Sequence, residues 1–226
     1  MTNKTVLVIA AHADDEVLGC GGTLLKHRNA GDDIFIIYMT NGVDAREQAN
    51  ELEQQQRLHS QKVVCQQLGV KEFFNLNHPD NKLDSVAMLD IVQSIEPIIR
   101  QVNPQIIYTH HGGDLNIDHR VVFQAVLTAC RPQPNCSVKQ ILSFSVNSST
   151  EWSHSSIGIE FTPNYFVDIS DVITERNQLL EHYQQEMRDF PHSRSNTAIN
   201  ALSTMRGTQV GVDAAEAFVL IRQIIE

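Results

Sequence analysis

The residues best suited to chemistry fall in two short runs. The first, His12-Ala13-Asp14-Asp15-Glu16, sets an imidazole and three carboxylates directly after an apolar stretch. His12 and Asp15 are three apart in a turn entering a helix, so both side chains can converge on one point. Imidazole with carboxylate suits a borderline cation such as zinc. Asp14 points elsewhere and is left beside such a cation as a general base. The same run also reads as acidic residues at a helix N-terminus, where the macrodipole favours them. Three crowded carboxylates repel each other, however, and a cation relieves that repulsion.

The second run is His110-His111-Gly112-Gly113-Asp114-Leu115-Asn116-Ile117-Asp118-His119-Arg120. It too follows an apolar stretch and opens a helix. A third ligand from here, His119, completes a His, Asp, His set with one position open, as in a catalytic metal site. Gly19, Gly21 and Gly22 do not make a dinucleotide loop, because Leu24 stands where the third glycine is required. The glycines read instead as close-approach positions on the first helix. There is no P-loop, G-x-S-x-G elbow or H-E-x-x-H.

Bringing residues 12 and 119 together demands a particular scaffold. Short apolar runs alternate with amphipathic ones. Strands are expected at 5–11, 34–40, 72–76, 105–110, 141–146 and 165–169, and helices at 17–30, 46–68, 85–102, 118–130, 172–188 and 214–225. Such alternation predicts a single α/β domain over 1–226: a mainly parallel, doubly wound sheet with helices on both faces. In these sheets ligands lie beyond the carboxyl ends of the strands, where both runs fall.

Composition narrows the partners. Hydrophobic residues make up 42% and charged residues 19%, which is globular. A net charge of -10 disfavours nucleic acid and anionic membrane. No stretch is apolar enough to span a bilayer. The apolar run after Lys4 is stopped by His12 and the carboxylates, unlike a secretory leader. Cys20, Cys65, Cys130 and Cys136 show no CxxC spacing, so a reducing, cytoplasmic setting is expected.

Ala11-His12-Ala13-Asp14-Asp15-Glu16 with Gly21-Gly22, and Asn116-Ile117-Asp118-His119, resemble the hallmarks of the PIG-L/LmbE-like zinc-dependent de-N-acetylases. Weaker similarities are Thr40-Asn41-Gly42, Arg57, Asp80, the 191–195 segment, Arg206-Gly207 and Ala215-Glu216-Ala217-Phe218. The resemblance implies a Rossmann-like fold, zinc held by His12, Asp15 and His119, and Asp14 as catalytic base. It further implies an N-acetylated amino sugar as the small-molecule substrate, and it is compatible with a homo-oligomer. Arg57 and Asp80 take substrate-binding positions, Asp118 and Glu16 supporting ones. Two residues depart from the motif. Ala13 replaces a proline, and Asn116 replaces a histidine; the amide can donate to an oxyanion but cannot shuttle protons. Asp14 then serves as both base and acid, or His111 or His192 substitutes. The alternatives are a metal-dependent hydrolase of another amide or an ester, and a nonenzymatic sugar- or nucleotide-binding module.

Overall fold

The computed structural model describes residues 3–40, 42, 51–134, 136–156 and 158–225. Five parallel strands, β1 (Thr5–Ala10), β2 (Asp33–Thr40), β3 (Glu72–His78), β4 (Ile106–His110) and β5 (Gln140–Phe144), carry the first half of the chain. Two more follow, β6 (Tyr165–Asp168) and β7 (Ala215–Gln223), with β7 antiparallel to both β5 and β6. The order across the sheet is β3-β2-β1-β4-β5-β7-β6. Between and after the strands run α1 (Asp15–Ala30), α2 (Glu51–Gln67), α3 (Met88–Val102), α4 (Ile117–Ala129), α5 (Ile173–Glu181) and α6 (Asn196–Thr208).

β1 is apolar in both phases because both its faces are covered. Val6, Val8 and Ala10 join α1, α2 and α5 through Leu24, Val64 and Leu179, whereas Leu7 and Ile9 join α3 and α4 through Ile95 and Val122. The chain turns from β1 to β2 on one side and to β4 on the other, so the sheet's switch point lies between β1 and β4. Their carboxyl ends flank the crevice where such sheets bind ligands. α1 stops at Gly31, whose φ of 81° is a left-handed cap closed by a bond to Arg28 O. Gly22 packs so closely that a Cβ there would stand 2.8 Å from Ile169 Cγ2, which is why α1 can lie against its neighbours.

The carboxyl-terminal half departs from expectation. The segment 214–225, expected to be a helix, is the strand β7. Ala215-Glu216-Ala217 favours helix, but Phe218 pairs with Phe144 of β5 and Tyr165 of β6. A helix there would leave the facing backbone groups of both strands unpaired, and that cost overrides local preference. α5 ends at Glu181 rather than running to residue 188, and the chain continues in turns. α6 was not foreseen, although Ser195 caps it by accepting from Ala198 N at 3.1 Å. Residues 46–50 of the expected 46–68 helix lie outside the described residues, as does Asn41 of the 40–42 loop. Residues 85–87 precede α3 rather than opening it, with a 3-10 turn at Leu83–Ser85. Arg176 of α5 is buried, donating to Asn200 Oδ1 and Ser203 Oγ near Glu216. No described helix is long and apolar enough to cross a membrane.

Candidate metal centre

The turn after β1 delivers His12, Asp14 and Asp15, and the loop and first turn after β4 deliver Asp114, Asn116, Asp118 and His119. All seven side chains except Asn116 belong to buried residues. Asp15 Oδ2 accepts from His12 N at 2.8 Å and lies 3.2 Å from His12 Nδ1 and 3.4 Å from His119 Nε2. Its other oxygen, Oδ1, is buried without a hydrogen-bond partner, and so is His119 Nε2. Ligand atoms of His12, Asp15 and His119 lie within 4.8 Å of one another. Buried polar atoms left unpaired are costly, and a cation between them would satisfy both. Two imidazoles and one carboxylate fit zinc, three protein ligands being the number that catalytic zinc sites use.

A second grouping, His12 with Asp80 and Asp118, is equally compact. Its acids are otherwise engaged. Asp118 Oδ1 accepts from Leu83 N at 3.0 Å and Oδ2 from Asn81 N at 2.7 Å. His12 Nε2 stands 3.1 Å from Asp80 and 3.2 Å from Asp118, so both carboxylates lie behind the ring. A proton on Nε2 leaves Nδ1 to face Asp15. Asp114 stands in the same relation to His119, 3.2 Å from Nδ1. Carboxylates placed behind metal-facing imidazoles set the tautomer and ring direction. Asp114 is itself secured by Ser149 Oγ, by Thr150 Oγ1 at 2.5 Å and by Asn116 N at 2.8 Å.

The electrostatics match this geometry. Burial alone would lower the pKa of His12, but Asp118, Asp15 and Asp80 raise it well above the usual value. Burial opposes protonation of His119 too, yet Asp15 and Asp114 push its pKa up to about 9. Burial also opposes ionisation of Asp15, and His119 and His110 still hold it well below the carboxylate range. Asp114 is held at about 2 against its burial, chiefly by His119. Four carboxylates, those of Asp15, Asp80, Asp114 and Asp118, therefore draw protons onto the two imidazoles, the positive charge that a divalent cation would replace. For His110, burial and then His119 lower the pKa well below its usual value. Its Nε2 accepts from Ala11 N at 2.8 Å, and its ring stacks on His119 at 3.9 Å.

Asp14 is built differently from its neighbours. Its φ of 130° and ψ of -30° are strained for an L residue, a cost of about 1–3 kcal/mol that active sites often carry. Its N–H donates to Glu16 Oε2 at 2.9 Å, and Glu16 Oε1 accepts from Tyr183 Oη at 2.7 Å. Its carboxylate accepts from Arg194 Nη1 at 2.9 Å. Burial pushes the Asp14 pKa up to about 6 despite Arg194, and burial takes Glu16 to about 7.

The other residues singled out in the sequence lie as follows. Asn116 caps α4, its Oδ1 accepting from Asp118 N at 2.8 Å and its Nδ2 donating to Asn81 Oδ1 at 3.1 Å. His111 turns away from the cluster to Ile159 O, 2.7 Å from Nε2. Asp80 is buried against His12. Arg57 reaches Gly42 O and, at 3.4 Å, Ala13 O, and pairs with Glu186 at 3.3 Å. His192 accepts from Arg194 N at 3.0 Å and packs edge-on to the half-exposed Trp152. Sequence reasoning assigned no role to Asp114, Tyr183, Glu186 or Arg194. Asp114 lay inside the second run and its spacing could have flagged it. Arg194 lay inside the 191–195 segment of weaker similarity, and Tyr183 and Glu186 carry no local signal.

With this geometry in view, the comparisons with known proteins take on meaning. A family profile described as PIG-L, GlcNAc-PI de-N-acetylase, matches residues 7–130, which contain both runs. An uncharacterized deacetylase of Escherichia coli (strain K12) is 29% identical over 173 residues, 74% of this chain and 83% of that protein. Diacetylchitobiose deacetylase of Thermococcus kodakarensis is 29% identical over 202 residues, covering 81% and 70% of the two chains. The solved structure of N,N'-diacetylchitobiose deacetylase from Pyrococcus horikoshii, bound to its inhibitor MPG, shares the fold with a TM-score of 0.78. It is 22% identical, covering 97% of this chain and 84% of that one. Sequence match, sheet order and the clustered His and Asp side chains agree: this chain belongs to the PIG-L family of de-N-acetylases.

Proposed function

We propose that this protein is a zinc-dependent hydrolase of linear amides that removes the acetyl group from an N-acetylglucosamine-type amino sugar or sugar conjugate. The observation that carries the reading is the compact buried cluster of His12, Asp15 and His119, in which Asp15 Oδ1 and His119 Nε2 lack hydrogen-bond partners, with Asp14 next in the chain. The named activities of the relatives support the substrate class. When bound, zinc supplies Lewis acidity, making water a stronger acid and drawing charge from an amide carbonyl. His12, Asp15 and His119 hold it, and Asp118, Asp80 and Asp114 keep the two imidazoles turned inward. Asp14 accepts the proton of the attacking water and passes it to the departing amine. Burial, which raises the Asp14 pKa in the metal-free protein, makes its carboxylate a stronger base. Asn116 can donate to the developing oxyanion once its Nδ2 exchanges Asn81 for substrate.

A cavity of about 420 Å³ is lined in part by Gly113, Asn147, Thr150, Ser193 and Arg206, and its Thr150 also holds Asp114 of the centre. Gly113 and Ser193 directly precede Asp114 and Arg194 in the chain. We assign the rest of the sugar conjugate to the cavity, and further substrate contacts to Arg57, His111 and His192. The four cysteines are free thiols, which suits the cytoplasm. Elemental analysis of purified protein, paired with amine release from N-acetylglucosamine derivatives before and after chelation, tests the reading. About one zinc per chain and chelator-sensitive amine release are expected. Amine release that survives complete removal of metal would overturn it.

A further inference from the structure

We infer that Arg194 is a positioning residue for Asp14, its guanidinium setting the direction in which the Asp14 carboxylate is presented to the reaction centre. The inference rests on the proposed role of Asp14 as the proton-transferring group. The backbone of Asp14 is tied by Glu16 at its N–H and by Val17 N and Leu18 N at its carbonyl. None of these bonds fixes the side chain. Among the described residues, the carboxylate hydrogen-bonds Arg194 alone.

The loop that carries Arg194 is stitched down where this contact is made. Arg194 Nε donates to Asn147 O at 3.2 Å, and Asn147 Nδ2 donates to Ser193 O at 3.1 Å. Arg194 N donates to His192 Nδ1, Arg188 N donates to Arg194 O at 3.3 Å, and Ser195 caps α6. Glu186 stands 3.7 Å from the guanidinium and 3.3 Å from that of Arg57, placing an anion between the two cations. A planar guanidinium held by its Nε on one side can offer Nη1 in only a narrow range of directions. That is what an aimed carboxylate requires, because small misplacements of a reacting group are expensive in rate.

Three variants test the assignment: Arg194→Met, Arg194→Lys and Asp14→Asn, with the Asp14→Asn/Arg194→Met double variant. In the zinc-loaded enzyme, Arg194→Met should lower kcat by about 10–100-fold, with KM changed less than kcat and zinc content unchanged. Arg194→Lys should restore part of that loss, since a point charge pairs but does not aim. In the Asp14→Asn background, Arg194→Met should cost nothing further in kcat. Two readouts stand apart from turnover. In metal-free protein the double variant should melt above Arg194→Met alone, because it no longer buries an unpaired carboxylate. In crystals of zinc-loaded Arg194→Met, the Asp14 carboxylate should turn away from its wild-type direction. An unmoved Asp14 carboxylate, an effect confined to KM, or an equal kcat loss with and without Asp14 would overturn the inference. Absence of amine release by the wild type would instead count against the proposed reaction, and the melting and crystallographic results would still decide the role of Arg194.

Discussion

The two halves of the sheet contribute to one centre on different terms. Residues 7–130, on the parallel strands β1 to β4, supply His12, Asp15 and His119. The chain beyond β5 supplies no member of that set, yet it holds its surroundings in place. Ser149 and Thr150 secure Asp114, Tyr183 secures Glu16, and Arg194 meets Asp14. Glu216 of β7 accepts from Gly22 N, Thr23 N and Thr23 Oγ1, tying α1 to the antiparallel strand. The contrast teaches that the His and Asp cluster comes from short local motifs, whereas several contacts that orient its side chains come from distant partners.

This division can be broken at the ligand side first. His119→Ala should lose bound zinc and essentially all turnover, measured by metal content and amine release; full zinc occupancy would remove His119 from the set. Next in size is Asp14→Asn, which should keep its zinc and lose about 10²–10⁴-fold in kcat, the usual worth of a general base. Near-normal turnover would end the base assignment.

A pH series sharpens the same comparison. In metal-free protein the His119 pKa is raised from 6.5 to about 9. A raised pKa stabilises the fold fully below the unfolded value and ceases to do so as pH climbs through the folded one. The melting temperature of metal-free protein should therefore fall from this source between about pH 6.5 and 9, and zinc, by replacing the proton, should flatten that fall. Identical profiles with and without zinc would show that His119 does not face the cation.

The smallest effect is expected on the supporting side. Tyr183→Phe removes one hydrogen bond to buried Glu16, a loss of about 1–3 kcal/mol in stability. Zinc content should be unchanged and kcat should fall by less than about tenfold through Asp14. A loss of zinc equal to that of His119→Ala would erase the distinction between the two halves.

Much of this was legible in the chain itself. The apolar run of β1, broken abruptly by His12 and three carboxylates, marks a strand end that carries chemistry. The helix-opening run after β4 marks its counterpart. Both signals are local, because strand burial and ligand spacing act over a few residues. The chain beyond residue 145 was read less well. Ala215-Glu216-Ala217 has helical preference, but pairing with β5 and β6 made it strand, since unsatisfied backbone is costlier than weak propensity. His111 and Asn116 look like site residues by position. The fold also bonds His111 to Ile159 O and uses Asn116 as the cap of α4.

By itself, then, the sequence determined the alternating strands and helices of the first half of the chain, and the placing of His12, Asp14, Asp15 and His119 at strand ends. These depend on periodicity and on residue types held within a turn. Only the tertiary structure decided which nitrogen of each imidazole faces inward, and which residues steady Asp14 in its strained conformation. Asp118 lies behind His12 across 106 positions, Tyr183 reaches Glu16 across 167 and Arg194 reaches Asp14 across 180. No local pattern encodes such pairs. They form because burying a charge or a strained peptide without a partner costs more than the fold can bear.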